Sequence, residues 1–527
     1  MSHMRRTAPL LPLWAAVIAA ALGGFALDAS FPSLGIWPLA FVAVALSLVS
    51  LIGRRMGGAL LVGAAYGAAF YFPHVEWSSR FLGDHPLRWV PWVALASVET
   101  LFTALGAIAI ALAYRWVAAL VTRPGIRAAV TALLVAGVWT AREIAMGSWP
   151  YGGFPWGRVG MSQSESPLAP AVSWIGVNGL TFLMVLVIAG AIEAVRLAVA
   201  AGSRRPRAWA PLAAPAALLA ILVVVPLFPT SQAGSLRVAA VQGDGPAAYL
   251  DEKGPYDVLE AQLEASGPAL DRDVDVVLWP EGSVTTDPIA DQNAAAVLDR
   301  AARQLRAPVL MNAASSSGDD VFNTSMLWTE DGPEQTHAKR YPVPFGEYVP
   351  QRELYEKIVP SLIGMIGREY TPGTDSPTMT VSGATVALAI CFDVIFDQHI
   401  WEGIGDGAQV LMFQTNNADF RGTDENLQQL AFARMRAIET GRTVVNVSTV
   451  GTSQVISSTG ETLEQIPADS AGAIVADVEL RGGVTAAVAA GPWIRAFLLW
   501  IPVAALAIAG AAADRLRRMR AETAARD

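Results

Sequence analysis

Val386-Ala387-Leu388-Ala389-Ile390-Cys391-Phe392-Asp393 is an apolar run that ends in a thiol and a carboxyl group. Residues 385–392 are apolar on both alternating faces and read as a buried strand of a layered α/β fold, one that delivers Cys391 to its C-terminal end. Cys391 is the single cysteine in 527 residues. That count excludes an intramolecular disulfide and a Cys-rich metal site. The thiol is either a small buried hydrophobe or a nucleophile. A free thiol titrates at about 8.5, and only the thiolate attacks a carbonyl well.

Outward from this strand, similar short runs recur at 236–242, 274–279, 308–313, 408–414 and 443–448, with helical patterns at 292–305 and 426–440. Strands alternating with helices imply an α/β domain over 235–485, long enough for one buried core. The run 274–279 leads into Pro280-Glu281-Gly282-Ser283, a carboxylate just past a buried strand, where α/β folds place reactive groups. His337-Ala338-Lys339-Arg340 leads into Tyr341-Pro342-Val343-Pro344-Phe345-Gly346-Glu347-Tyr348-Val349-Pro350, whose prolines fix the backbone for positioning. Lysine is scarce, at Lys253, Lys339 and Lys357 only. A carboxylate near Cys391 can take its proton, and an ammonium can favour the anion and hold a developing oxyanion. Each feature alone has a bland reading: strand cysteines mostly pack, and loop lysines are mostly solvated. The argument is their joint occurrence at strand ends.

The flanks are different in kind. Hydrophobic residues make up 53% of the chain and charged residues 16%, with net charge −9. Disorder, a basic nucleic-acid-binding face and a wholly soluble enzyme are thereby excluded. Apolar runs near 9–27, 34–52, 57–73, 89–114, 128–146, 168–195, 209–228 and 491–512 predict eight membrane spans. They define a seven-helix region over 1–230 and an eighth helix over 491–513, with a basic tail to 527. Arginine alternates between gaps: Arg5 and Arg6, then Arg54 and Arg55, then Arg115, Arg123 and Arg127, then Arg196, Arg204, Arg205 and Arg207, and finally Arg515, Arg517, Arg518 and Arg520. The intervening gaps hold only Arg80, Arg88 and Arg158. The positive-inside rule then puts both termini in the cytoplasm and the α/β domain outside. Tryptophans 77, 89, 92, 149 and 156 fall in the outward gaps or at span ends. The rigid run Gly152-Gly153-Phe154-Pro155-Trp156-Gly157 is expected to line an entrance to the site. Arg142 and Glu143 sit at the outer end of the fifth run, where charge needs a partner. Five scattered histidines supply no expected metal cluster, and no cofactor is expected.

Trp279-Pro280-Glu281, Lys339 with Pro344-Phe345-Gly346-Glu347, and Cys391-Phe392-Asp393 resemble the Glu-Lys-Cys triad of the nitrilase superfamily. With the flanking spans, and with Val241-Gln242-Gly243, Asn416-Asn417-Ala418-Asp419-Phe420, 434–442 and 447–451, the whole chain resembles the apolipoprotein N-acyltransferase family. The resemblance implies an αββα sandwich joined to the helical bundle of a bacterial inner or plasma membrane protein. It implies Glu281 as general base, Cys391 as nucleophile, Lys339 as oxyanion stabiliser and Glu347 as their support. A membrane phospholipid is then the acyl donor and a diacylglyceryl lipoprotein the acceptor. Expected substrate-binding residues are Phe392, Asp393, Tyr249 and Trp156, with Leu362 and Met365 on an apolar arm over 358–367 that dips into the outer leaflet. Phe392-Asp393 departs from the family's usual Tyr-Glu, and Tyr249 stands in for its tryptophan. A membrane-tethered amidase and a non-catalytic envelope scaffold are the competing readings.

Overall fold

The computed structural model describes residues 8–202 and 206–526 and divides into two compact units. Arg5, Arg6, Arg204 and Arg205 lie outside the described residues. The helical unit takes in 91–226 and 490–527 along with the N-terminal part of the chain to Glu76. Five of its helices are long and apolar enough to cross a membrane: Met56–His74, Trp89–Leu120, Pro124–Met146, Ala169–Ala200 and Ala486–Ala525. Leu13–Asp28, Leu39–Leu51 and Ala208–Val224 are apolar but shorter. Among the described residues, five of the eight expected spans therefore coincide with helices of sufficient length and three with shorter ones. At 1.5 Å per residue a 16-residue helix reaches about 24 Å, short of a hydrocarbon core of about 30 Å. Gly23 and Gly24 explain how the first helix packs so closely. A Cβ on Gly24 would stand 2.4 Å from the Tyr66 carbonyl oxygen. Glu143, buried, accepts from Trp139 Nε1 at 2.8 Å and lies 3.5 Å from Arg142 Nη2, both through Oε1, while its Oε2 is buried without a hydrogen-bond partner among the described residues.

The α/β unit comprises 77–90 and 227–489. Its strands are β1 (Ser231–Gln242), β2 (Val276–Leu278), β3 (Val309–Ser317), β4 (Asp320–Thr329), β5 (Gly332–Ala338), β6 (Thr378–Val381), β7 (Ala384–Ile390), β8 (Val410–Thr415), β9 (Val444–Ser448), β10 (Ser453–Ile456), β11 (Thr462–Ile466) and β12 (Gly472–Gly482). They form two six-stranded sheets, ordered β12-β1-β2-β3-β4-β5 and β6-β7-β8-β9-β10-β11. Both have one pattern: an antiparallel edge pair, two parallel pairs, then two antiparallel pairs. Alternation sorts the side chains. Leu236, Val238 and Ala240 face Val386, Leu388, Val410 and Met412 in one core between the sheets. Ala239 and Val241 point the other way, onto helix Gln292–Leu305 through Leu298, Ala302 and Leu305. Layering of this kind follows when parallel strands must be covered on both faces.

The strand predicted at 385–392 is corrected at its end. It stops at Ile390, and Cys391–Ile395 is a 3₁₀ turn. Helix Gln292–Leu305 begins where Asp291 accepts from the backbone N–H groups of Asn293 and Ala294, a cap that closes the first turn.

Candidate active site

Three strand ends converge. Past β2, Gly282 turns at φ +65°, and its N–H donates to Asn312 Oδ1 at 2.7 Å, which fixes Glu281 beside it. Past β5, the Lys339 N–H extends the ladder to the Asn323 carbonyl at 2.8 Å. Past β7, Cys391 takes φ +49°, a left-handed conformation that costs a non-glycine residue about 1–2 kcal/mol. Asp393 holds it there, accepting from the Ile390 N–H at 3.2 Å and from the Tyr341 N–H at 2.9 Å.

Lys339 Nζ lies 3.0 Å from Glu281 Oε1 and 2.8 Å from Glu347 Oε2, with its side chain 1% exposed. Asn323 Nδ2 bridges the same two carboxylates, at 2.8 Å to Glu281 and 3.0 Å to Glu347. Asn312 Nδ2 in turn donates to Asn323 Oδ1 at 2.8 Å. Glu347 is closed into its turn by the Val343 N–H at 2.7 Å. Burial pushes the Glu281 carboxyl upward, opposed by the Lys339 charge. Burial also works against the Lys339 charge, but Glu281 and Glu347 outweigh it and hold the ammonium well above its ordinary range. The Cys391 thiol, partly exposed, is pushed well above its usual value by burial of the sulfur and by the Glu281 charge. The thiol thus lies in the field of a carboxylate and an ammonium, an arrangement that can activate a thiol by moving its proton.

The expected substrate residues have mixed fates. Tyr249 is exposed, stacks on Phe81 at 5.9 Å, and donates its hydroxyl to the Met365 carbonyl at 3.1 Å, so Tyr249 and Met365 meet. Leu362 is 7% exposed, and its neighbours Ile363 and Ile366 close a small apolar cluster with Val349, so the arm over 358–367 carries a core of its own. Phe392 is buried edge-on to Phe396 at 5.3 Å. Asp393 is 0% exposed and its oxygens serve backbone N–H groups, so it braces the nucleophile's turn and the Tyr341 loop. Trp156 belongs to the helical unit, buried and stacked on Phe154 at 5.6 Å.

The histidines correct the sequence reading. They read as scattered, but His399 is 1% exposed, and the ligand atoms of His337, Asp393 and His399 lie within 4.8 Å of one another. His399 Nε2 contacts the Leu388 carbonyl at 2.8 Å, and His337 Nδ1 contacts Asp375 at 2.9 Å. Burial lowers His399, keeping it neutral. Each contact engages one nitrogen of its ring, and the other nitrogens, His337 Nε2 and His399 Nδ1, are buried without a hydrogen-bond partner among the described residues.

Sequence reasoning missed Asn323, Asn417, Glu425 and Gln429. Gln429 Nε2 lies 3.5 Å from Cys391 Sγ. Asn323 carried no signal, since a polar residue within a strand is usually on its wet face.

Residues 23–190 match the apolipoprotein N-acyltransferase N-terminal domain, and 237–486 match carbon-nitrogen hydrolase. An apolipoprotein N-acyltransferase of Mycolicibacterium smegmatis is 32% identical over 95% of this chain and 87% of its own. The chain belongs to the apolipoprotein N-acyltransferase family. It is an acyltransferase with a nitrilase-like α/β domain and a helical region of several apolar helices. A family member from Azotobacter vinelandii is 29% identical over 98% of this chain and 97% of its own. Among solved structures, an amidase from Nesterenkonia aligns at TM-score 0.37 and 19% identity, over 47% of this chain and 92% of that one.

Proposed function

We propose that this chain moves an acyl group from a membrane glycerophospholipid to the α-amino group of an S-diacylglyceryl-cysteine lipoprotein, through a thioester on Cys391. The observation that carries the reading is Lys339, buried between Glu281 and Glu347 in the electrostatic field of the Cys391 thiol. In the first half-reaction, Glu281 takes the thiol proton, and the sulfur attacks the donor's ester carbonyl. The Lys339 ammonium holds the oxyanion. The ester C–O bond then breaks, Glu281 returns the proton to the leaving alkoxide, and a lysophospholipid departs. In the second, the acceptor amine attacks the thioester, giving its proton to Glu281, which passes it to the departing Cys391 thiolate. Glu347 and Asn323 keep the lysine aimed. Excluding water favours the amine over hydrolysis.

Membrane residence suits both substrates, because drawing an acyl chain from a bilayer costs about 0.8 kcal/mol per CH₂. The reading takes 1–230 as seven spans and 491–513 as the eighth, with both termini cytoplasmic and 235–485 an extracytoplasmic αββα sandwich. It is supported by the arginine alternation and by five long and three shorter apolar helices. Phe392, Tyr249, Trp156, Leu362 and Met365 are proposed to contact acyl chains. Asp393 is proposed to act through the nucleophile's turn.

Incubation of the purified full chain with phospholipid vesicles and measurement of intact mass tests this. An acyl-sized gain that is lost in Cys391→Ala and is discharged by a diacylglyceryl peptide is expected. Acylation followed by fatty-acid release without the peptide marks a hydrolase. No adduct marks a scaffold.

A further inference from the structure

A directional chain of hydrogen bonds ends on the Cys391 sulfur. It starts at a group whose polarity cannot reverse, the Gly451 backbone N–H, which donates to Ser448 Oγ at 2.8 Å. The serine hydroxyl therefore sends its own proton onward, to Asn417 Oδ1 at 2.6 Å. With its oxygen so engaged, Asn417 presents its NH₂ to Gln429 Oε1 at 2.8 Å and to Glu425 Oε2 at 2.7 Å. Gln429 Oε1 is then an acceptor, and its Nε2, 3.5 Å from Cys391 Sγ, is a donor. Amide orientation is ordinarily a matter of choice. Here the three side chains that follow the Gly451 N–H are all satisfied in this one orientation, with the Thr415 hydroxyl also donating to Asn417 Oδ1. All three are buried: Ser448 at 0% exposure, Asn417 at 4% and Gln429 at 3%.

The backbone is shaped for this chain. A Cβ on Gly451 would stand 2.6 Å from Asn417 Oδ1 and 2.9 Å from Ser448 Oγ, so only glycine admits both. Gln429 lies one helical turn beyond Glu425 on Glu425–Thr440, which lets one asparagine amide serve both.

We propose that Gln429 is a further catalytic residue, whose side-chain N–H donates to the Cys391 sulfur and stabilises the thiolate as it attacks and again as it leaves. The role rests on Cys391 being the nucleophile proposed above. Gln429 carries no proton to the reaction. It lowers the cost of charge on sulfur, complementing the lysine, which faces the carbonyl oxygen. The charged and titratable groups acting on that sulfur are Glu281, Lys339, Glu425 and Glu347. None of them is altered in Gln429→Met, an apolar replacement of similar length.

Cys391 is the single thiol, so alkylation by iodoacetamide, read by intact mass, reports on it alone. The full chain in detergent is alkylated at fixed pH values from about 7 to 11, since burial sets the thiol above its usual range, and midpoints are compared through the rates. Gln429→Met is expected to raise the midpoint by about one unit, a roughly tenfold slower alkylation at neutral pH. Gln429→Glu shifts it further, since a carboxylate then faces the sulfur. Ser448→Ala, three links away, shifts it in the same direction by less, and it decides the matter if Gln429→Met does not fold. Midpoints that superimpose on the wild type overturn the proposal. Acylation by phospholipid vesicles is measured on the same samples. If wild type is acylated but the midpoints do not move, only the glutamine role fails. A moved midpoint without acylation of wild type leaves the sulfur donor standing and overturns the acyl-enzyme.

Discussion

Asn323 and Lys339 donate to the same oxygen of Glu281, Oε1, at 2.8 and 3.0 Å. With both donors on one oxygen, the other is left to receive a proton. A general base needs this asymmetry, because a carboxylate saturated on both oxygens is a poor acceptor. Asn323→Leu, similar in volume, removes the donor to both Glu281 and Glu347. Acyl-enzyme formation is expected to fall about tenfold to a hundredfold, in line with loss of a hydrogen bond to a charged group. Intact-mass time courses measure it, and an unchanged rate removes Asn323 from the mechanism.

Lys339→Met separates stability from chemistry less cleanly, and the magnitudes say why. Removing one partner of a buried ion pair typically costs about 3–5 kcal/mol, because the remaining charges stay buried. Here two carboxylates are left facing each other. The variant is expected to melt well below wild type and to form no detectable acyl-enzyme. Lys339→Met/Glu347→Gln relieves the repulsion and is expected to recover part of the melting temperature without recovering acylation. Recovery of both would deny the lysine its oxyanion role.

As the proposed general base, Glu281 is expected to set the acidic limb of the pH profile. Burial raises its folded value above that of an unperturbed glutamate, about 4.3. As a base it works only when ionised, so the rate of Cys391 acylation rises with pH through that raised value. Stopped-time acylation across the acid range is expected to show a midpoint above the unperturbed one. Glu281→Gln abolishes the limb along with the rate. A wild-type profile that is flat there would contradict the assignment.

Asp393→Asn keeps the shape but weakens two acceptors of backbone N–H groups, those of Ile390 and Tyr341. Charged hydrogen bonds contribute about 1.5–3 kcal/mol each. The left-handed Cys391 turn is expected to loosen, with acylation slowed more than tenfold and the apparent affinity for phospholipid little changed. A change confined to affinity would return Asp393 to the substrate-binding role that the sequence suggested.

The sequence disclosed what burial dictates. Strands buried on both faces, such as β7 and β8, stand out as apolar runs, and helix Gln292–Leu305 as a helical pattern. β11 did not stand out, because its residues meet water: four of its five residues are exposed. Glu281, Lys339 and Cys391 were legible from chemistry placed at strand ends. Asn323 sits inside β4, where nothing local separates a buried asparagine from a solvated one. His337 and His399 are far apart in sequence, and only the fold reveals that they flank Asp393.

Glu425 offers a pH test that is independent of catalysis. Buried at the start of the helix that carries Gln429, its carboxyl is pushed up to about 8 by burial. In the unfolded chain it titrates near 4.3, as any glutamate does. Between those values the folded protein keeps a proton that the unfolded chain has released. Stability from this group is therefore full below the lower value and is lost as pH rises through the upper one. Glu425→Gln stays neutral and still accepts from Asn417, so it removes the dependence. Thermal unfolding is expected to show the variant above wild type at pH values near 8, by about 2–4 °C per kcal/mol, with the gap narrowing as pH falls and closing at about pH 4, where the glutamate is protonated in both states. Parallel curves across that range would mean that Glu425 is ionised in the folded chain, and the asparagine amide would then bind it as a charge.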